Sequence, residues 1–338
     1  MAILRRAKRR LEERGFLDVT NEALNTLRCA RSSVLTSYYV GSVPFVLGFL
    51  FFWADMSRNA FAYRRCFAAA LGLALLFVWM KIWQAVFARG IREELQGRTL
   101  PSWSRGDVAR LVTDQTIIQP FGLIAIPLAM LFALPFYSVY GFYQNVTILG
   151  HERALDRRTL VRRAWSQALL WPRQSHFLIW LLCPWVLGLC LPLILGAMRL
   201  MGSMTGALAL PAGLAWVLGA VIWTFRLALP LSPVGFAVAS NVAVLFILLP
   251  YLLKLFLGID TTFTVSGWHG IFNSTFLVAV FGVTYLCMDP LVKTAFALRC
   301  FYGESRLTGA DLHAELRRLR DEGRDDISAV DNEGSAIS

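Results

Sequence analysis

Runs of roughly twenty apolar residues alternate with short arginine-bearing stretches along most of this chain. Apolar runs at 38–54, 66–88, 176–198, 207–229, 234–257 and 271–288 each lie near the roughly 17–25 residues that a bilayer crossing needs. The polar stretches between them carry a helical period of their own. A helix is predicted over 20–35, with Ala23, Leu24, Leu27, Ala30, Val34 and Leu35 on one face and Arg28 and Arg31 on its flank. In 158–171, Val161, Ala164, Trp165, Ala168 and Leu169 recur at helical spacing while Arg158, Arg162 and Arg163 take the other side. Cationic amphipathic helices of this kind lie on anionic membrane surfaces, so these three arginines are predicted to contact lipid headgroups.

Residues 116–149 read either as one long, kinked helix or as two short crossings. Charge decides how they are arranged. With the N-terminus inside, the spans at 38–54 and 66–88 return the chain to the inside, where Arg89, Arg92, Arg98, Arg105 and Arg110 follow. A single crossing over 116–149 would then put Arg153, Arg157, Arg158, Arg162 and Arg163 outside, against the excess of cytoplasmic Lys and Arg. A hairpin turning near Leu134-Pro135 keeps them inside. Its short arms require bilayer thinning or a buried position. Before it, Ser104 and Asp107 form a capping-box pattern that starts a short helix with Val108, Leu111 and Val112 toward the membrane. Ser232-Pro233 reads as the cap and first residue of another helix. The predicted fold is all-α, a polytopic membrane protein of about eight (six to eight) spans with amphipathic helices on the cytoplasmic face. Its parts are a basic head and interfacial helix at 1–36, a transmembrane domain at 37–303, and a short helix with an acidic tail at 304–338.

Composition agrees and removes alternatives. Hydrophobic residues are 57% without counting Gly, and charged residues only 16%. Globular chains reach about 45–50% apolar with Gly included and about 25% charged. The net charge of +11 sits in blocks that flank apolar runs, so the expected partner is an anionic bilayer, with another membrane or cytoplasmic protein as a second, and not nucleic acid. Six scattered cysteines show no C-x-x-C, and four histidines have no partner at metal spacing, so neither metal nor cofactor is expected. No nucleotide, metalloprotease or hydrolase motif is present.

Five polar residues within or beside apolar runs make a candidate intramembrane site: Lys81, Gln144, Asn145, Asp289 and Lys293. Asp289 invites a proton or ion role, because charge inside a bilayer is costly. The local wording favours a structural one, since Asp289-Pro290 reads as cap and first-turn proline of a surface helix that Gly303 would stop. Lys81 is read as snorkelling toward headgroups near Arg89, with a lipid-phosphate or substrate anchor as the alternative. Gln144 and Asn145 are read as interhelical hydrogen-bonding groups, and the Asn145-Val-Thr147 sequon as accidental.

The segment Leu134-Pro-Phe-Tyr137 through Arg163-Ala-Trp165 places a Leu-Pro turn, an apolar arm, a polar turn and an Arg-Arg-x-Trp helix in order. That arrangement resembles the integral-membrane domain of bacterial glycerophosphodiester phosphodiesterases. The stretch Asp289-Pro-Leu-Val-Lys293 with Leu298-Arg-Cys-Phe-Tyr-Gly-Glu-Ser305 is similar to bacterial inner-membrane proteins of the same build. The resemblance implies a bacterial inner-membrane protein, and the charge pattern with eight crossings puts both termini in the cytoplasm. It does not imply phosphodiesterase activity, because the catalytic domain is absent from this sequence. The expected role is a non-enzymatic scaffold or accessory at the cytoplasmic leaflet. The alternatives are a transporter or lipid-handling protein, and an intramembrane enzyme, for which Asp260 and Asp289 are the available carboxylates.

Overall fold

The structure, a computed structural model, describes residues 15–97, 102–131, 136–150, 156–183, 233–259 and 273–309, with Leu312 and Leu316. The expected span at 207–229, the far part of 176–198, the turn at Leu134-Pro135, Arg153, Ser232, Asp260 and the acidic tail lie outside these residues. Among the described residues the protein is all-helical. Among the described residues five helices are long and apolar enough to cross a bilayer.

Helix α1 (Phe16–Cys29) opens with the Asp18 carboxylate accepting the Gly15 backbone N–H at 2.9 Å and buries Val19, Thr20 and Ala23. The single helix expected over 20–35 is in fact two. Ala30 and Arg31 are extended, and Val34 and Leu35 belong to the first turn of α2 (Ser32–Arg58). The break is held by Glu94, whose carboxylate accepts the Arg31 backbone N–H at 2.9 Å. Helix α3 (Cys66–Gln96) follows a 3-10 turn and ends at Gly97 in the left-handed region (φ 59°). It returns antiparallel to α2. Trp79 donates its indole N–H to the Val40 carbonyl at 3.1 Å, and a Cβ on Gly41 would lie 2.4 Å from the Trp83 Cβ. Only glycine permits that approach.

Helix α4 (Arg105–Leu131) starts at the expected capping box, with Ser104 N–H to Asp107 Oδ2 at 2.9 Å and Asp107 N–H to Ser104 Oγ at 3.2 Å. The short surface helix and first arm expected here are one helix, which continues through Pro120 and Pro127. Helix α5 (Phe136–Leu149) runs back antiparallel to it. Gln119 Nε2 donates to the Tyr143 carbonyl at 3.2 Å and to Thr147 Oγ1 at 3.0 Å, and Gln115 Nε2 donates to the Val146 carbonyl at 3.4 Å. The described part of α5 spans about 21 Å at 1.5 Å per residue. Every residue from Tyr143 to Leu149 is buried.

Helix α6 (Arg157–Ala168) splits its apolar stripe. Leu160, Ala164 and Ala168 are buried, whereas Val161, Trp165 and Leu169 are exposed. Helix α7 (Pro172–Leu182) follows a left-handed turn at Trp171 (φ 48°) and packs Leu178, Ile179, Leu181 and Leu182 inward. Helix α8 (Pro233–Leu257) presents most of its side chains outward. Helix α9 (Ser274–Thr308) is capped by Asn273, whose side chain accepts the Thr275 N–H, and ends at Gly309 (φ 66°).

This last helix overturns a sequence expectation. Asp289 does not cap a new helix and Gly303 does not end one, because both lie inside α9, which continues through Pro290. Inside a membrane protein an internal proline is tolerated where neighbouring helices pack the freed backbone. Gly303 serves close packing instead. A Cβ there would lie 2.1 Å from Gln167 Oε1 on α6.

The arginine-rich segments gather at one end of the bundle. Arg92 and Arg163 pair with Glu304 at 2.7 and 3.1 Å, Arg157 with Asp114 at 2.9 Å, and Tyr302 hydrogen-bonds Glu22. At the opposite end Trp53 Nε1 donates to Ser274 Oγ at 3.4 Å, joining the end of α2 to the start of α9. The hydrophobic core lies between, built from α1, α2, α3, α5, α7 and α9.

Candidate functional site

Along α9, Tyr285, Asp289 and Lys293 are spaced four apart and therefore share one face. Asp289 is 2% exposed and Lys293 is 1% exposed. The Lys293 ammonium stands 3.5 Å from Asp289 Oδ2 and donates to Gln144 Oε1 on α5 at 2.9 Å. Asp289 Oδ2 also accepts the Tyr38 hydroxyl of α2 at 2.8 Å and Gln84 Nε2 of α3 at 3.1 Å. Gln84 Nε2 further reaches the Tyr285 hydroxyl at 2.9 Å and Ser42 Oγ at 3.5 Å. Four helices thus meet on one carboxylate and one ammonium.

An ionised group at the centre of a bilayer costs about 2.5–3.5 kcal/mol on insertion scales. Here the charge is met by an opposite charge and by oriented dipoles, the arrangement that lets a buried ion pair persist. The amide orientation of Gln84 follows from chemistry, since only its NH2 can face an acceptor carboxylate. Its Oε1 is then turned away. That oxygen, wholly buried, has no hydrogen-bond partner among the described residues, and neither have Gln115 Oε1 and Ser138 Oγ.

Lys81 is half-buried on α3, one turn before Gln84. Snorkelling to the headgroups near Arg89 does not occur. The Lys81 ammonium lies over the Phe77 ring, 5.5 Å from its centroid, in the direction opposite to Arg89. The cause is geometric: helical side chains lean toward the N-terminus of their helix, and for α3 that is the end remote from the arginines. Arg89 lies about 12 Å along the axis the other way. Lys81 is close enough to interact electrostatically with Lys293 and Asp289, and among the described residues it has no carboxylate within ion-pair distance.

Of the five residues singled out in the sequence, the structure brings Gln144, Asp289 and Lys293 into direct contact and sets Lys81 beside them. Asn145 serves elsewhere. Its Nδ2 donates to the Ala164 carbonyl at 3.1 Å, and its Oδ1 receives the Cys300 thiol at 3.2 Å, which ties α5 to α6 and α9. Arg158 and Arg162 are exposed on α6, while Arg163 is turned partly inward to Glu304. Sequence reasoning missed Tyr38, Gln84 and Tyr285. The four-residue spacing of Tyr285, Asp289 and Lys293 is the signal that would have found the last of these.

Chemically the cluster can hold a proton or a small ion between Asp289, Lys293, Tyr38 and Tyr285. The Tyr38 hydroxyl and the Lys293 amine both stand against the Asp289 carboxylate. Among the described residues no three His, Cys, Asp or Glu side chains gather as metal ligands would. No family model, curated protein or solved structure matches the chain.

Proposed function

We propose that this is a solute-handling protein of a bacterial inner membrane, a transporter or lipid-handling protein, with six to eight spans and both termini in the cytoplasm. The observation that carries this reading is the Asp289–Lys293 pair, held in the interior by Tyr38, Gln84 and Gln144 from three other helices. Hydrophobic side chains would join these helices without the cost of burying charge, so a charged centre points to a task that needs charge. The gathering of arginine-rich segments at one end supports a cytoplasmic assignment for that end under the positive-inside preference. The proposed role does not require enzymatic chemistry. The layout of α4 to α6 is also what a stand-alone relative of the phosphodiesterase membrane domain would carry.

A scaffold or accessory role at the cytoplasmic leaflet is the second reading. It is favoured by α6, where exposed Arg158 and Arg162 flank exposed Val161, Trp165 and Leu169, a face fitted to anionic lipid or to a membrane partner.

The test is water access. Ser42, wholly buried beside Gln84, is replaced by cysteine in a background whose native cysteines are serine or alanine. Solute handling requires the site to open, so a membrane-impermeant thiol reagent should modify Ser42→Cys in intact membranes, and Asp289→Asn should change the rate. A thiol that stays unmodified from both sides sinks this reading and leaves the scaffold.

A further inference from the structure

We infer that Lys81 and Gln84 form a binding site for a monoanion that carries an O–H group, such as a hydroxycarboxylate, a protonated phosphate or the phosphodiester head of a glycerol lipid. The inference rests on the solute-handling reading and names the chemistry of its ligand.

Charge supplies the first argument. Among the described residues the cluster holds two amines, Lys81 and Lys293, and one carboxylate, Asp289. Lys293 is matched by Asp289 at 3.5 Å, and among the described residues no carboxylate lies within ion-pair distance of Lys81. Lys81 is the sixteenth residue of a 31-residue helix. Its ammonium leans further from the arginine-rich end, toward Phe77. A partly buried amine without a counter-ion is favoured in its charged form by a bound anion.

The second argument is independent of charge. Gln84 Oε1 is wholly buried and unpartnered among the described residues, while its Nε2 is committed to Asp289, Tyr285 and Ser42. A buried acceptor left without a donor is costly. Lys81 does not satisfy it, since the ammonium leans one turn the other way. An acceptor one helical turn from an amine with no ion-pair partner among the described residues suits a ligand with a negative oxygen for the lysine and a hydroxyl for the amide. Phe77 beneath the ammonium holds the cation in place while the ligand is absent.

Paired probes test this with the purified full chain in nanodiscs. Glycolate is compared with acetate, and inorganic phosphate with sulfate, each pair differing in whether the anion offers an O–H. Nanodiscs of phosphatidylcholine alone, and with phosphatidylglycerol added, separate a free anion from a lipid head. Binding of labelled glycolate and phosphate should exceed that of acetate and sulfate by about tenfold, the worth of one hydrogen bond. Lys81→Met should weaken binding at least about 30-fold, and Lys81→Arg should keep most of it. Gln84→Leu should bring glycolate and acetate level. If the source is lipid, phosphatidylglycerol suppresses glycolate binding and co-purifies with the wild type but not with Lys81→Met. Should Lys81→Met not give monodisperse protein, Lys81→Gln replaces it in the same comparison. The inference is overturned if none of the four anions binds and no phosphatidylglycerol is retained. It is equally overturned if binding ignores Lys81. Labelling at Ser42→Cys with no anion binding would remove this inference alone. Anion binding with a sealed Ser42→Cys would instead remove the solute-handling reading.

Discussion

Asp289 and Lys293 should behave as one unit whose members are worse apart than absent together. At 3.5 Å and an effective dielectric near 20, their attraction is about 5 kcal/mol before desolvation is counted. Removing one partner of a buried pair costs about 3–5 kcal/mol, because the other charge remains buried without its counter-ion. Asp289→Asn keeps the shape and still offers Tyr38 and Gln84 an acceptor, so it isolates the charge. It leaves Lys293 with the neutral Gln144 carbonyl, and a loss of about 3 kcal/mol is expected, roughly 150-fold in the folded-to-unfolded ratio. Lys293→Met leaves a carboxylate that two neutral donors still solvate, so its cost should be nearer about 2 kcal/mol. The double variant carries no buried charge from the pair and should cost no more than the larger single change.

The assay is equilibrium unfolding in lipid bicelles, titrated with SDS and followed by tryptophan fluorescence for the wild type, both singles and the double. A coupling energy of about 2 kcal/mol or more is expected from contacting charges. Additivity within about 0.5 kcal/mol would refute the reasoning, since it would mean that the two groups do not meet as charges. A neutral Asp289→Asn would refute it from the other side.

Four further outcomes follow from particular contacts. Gly41→Ala should force α2 from α3, because the new Cβ would lie 2.4 Å from the Trp83 Cβ, which cannot swing away. A loss of about 1–3 kcal/mol in the same bicelle assay is expected, the usual cost of overpacking. Reporter fusions at Ala60 should face the side opposite to fusions at Leu160, because α2 and α3 turn at one end of the bundle and α6 lies at the other; a shared side would be contrary to this fold. Replacing Arg158 and Arg162 together by Gln should reduce the phosphatidylglycerol that co-purifies, counted by mass spectrometry, at about 1 kcal/mol per arginine near a charged surface. Ser104→Ala removes one half of a reciprocal cap and should lower stability by about 1 kcal/mol, visible as a shifted unfolding midpoint.

What the sequence revealed depended on how local the information was. The capping box at Ser104 and Asp107 was legible because both its hydrogen bonds close within four residues. The antiparallel return of α5 along α4 was legible from charge, since keeping the Arg157–Arg163 block with the other arginines requires the chain to double back. Asp289-Pro290 misled for the same local reason: a helix start and a proline tolerated inside a packed helix have the same wording. Thr294 Oγ1 bonds the Pro290 carbonyl at 2.8 Å, and neighbouring helices bury the region, but neither can be read from six residues. Tyr38 lies 251 residues from its carboxylate, so no window could pair them. The direction of Lys81 was readable in principle. Leaning toward the N-terminus is a general property of helical side chains, and α3 enters from the end remote from the arginines.

The buried part of helix α5 explains how a charged centre can exist where it does. The described part of α5 is buried along its second half, from Tyr143 to Leu149. Surrounded by protein it becomes the element that carries polar groups inward. Gln115 and Gln119 of α4 cover its Val146 and Tyr143 carbonyls, and Asn145 reaches across to Ala164 on α6. These bonds fix α5 along its arginine-side half and leave Gln144 free to turn the other way, onto Lys293. Without Gln144 the ammonium would meet Asp289 alone at 3.5 Å, longer than a strong charge-assisted hydrogen bond. The amide of α5 therefore sets the position of the Lys293 ammonium, and through Asp289 it couples to α2 and α3. Displacing α5 would then displace the charge pair.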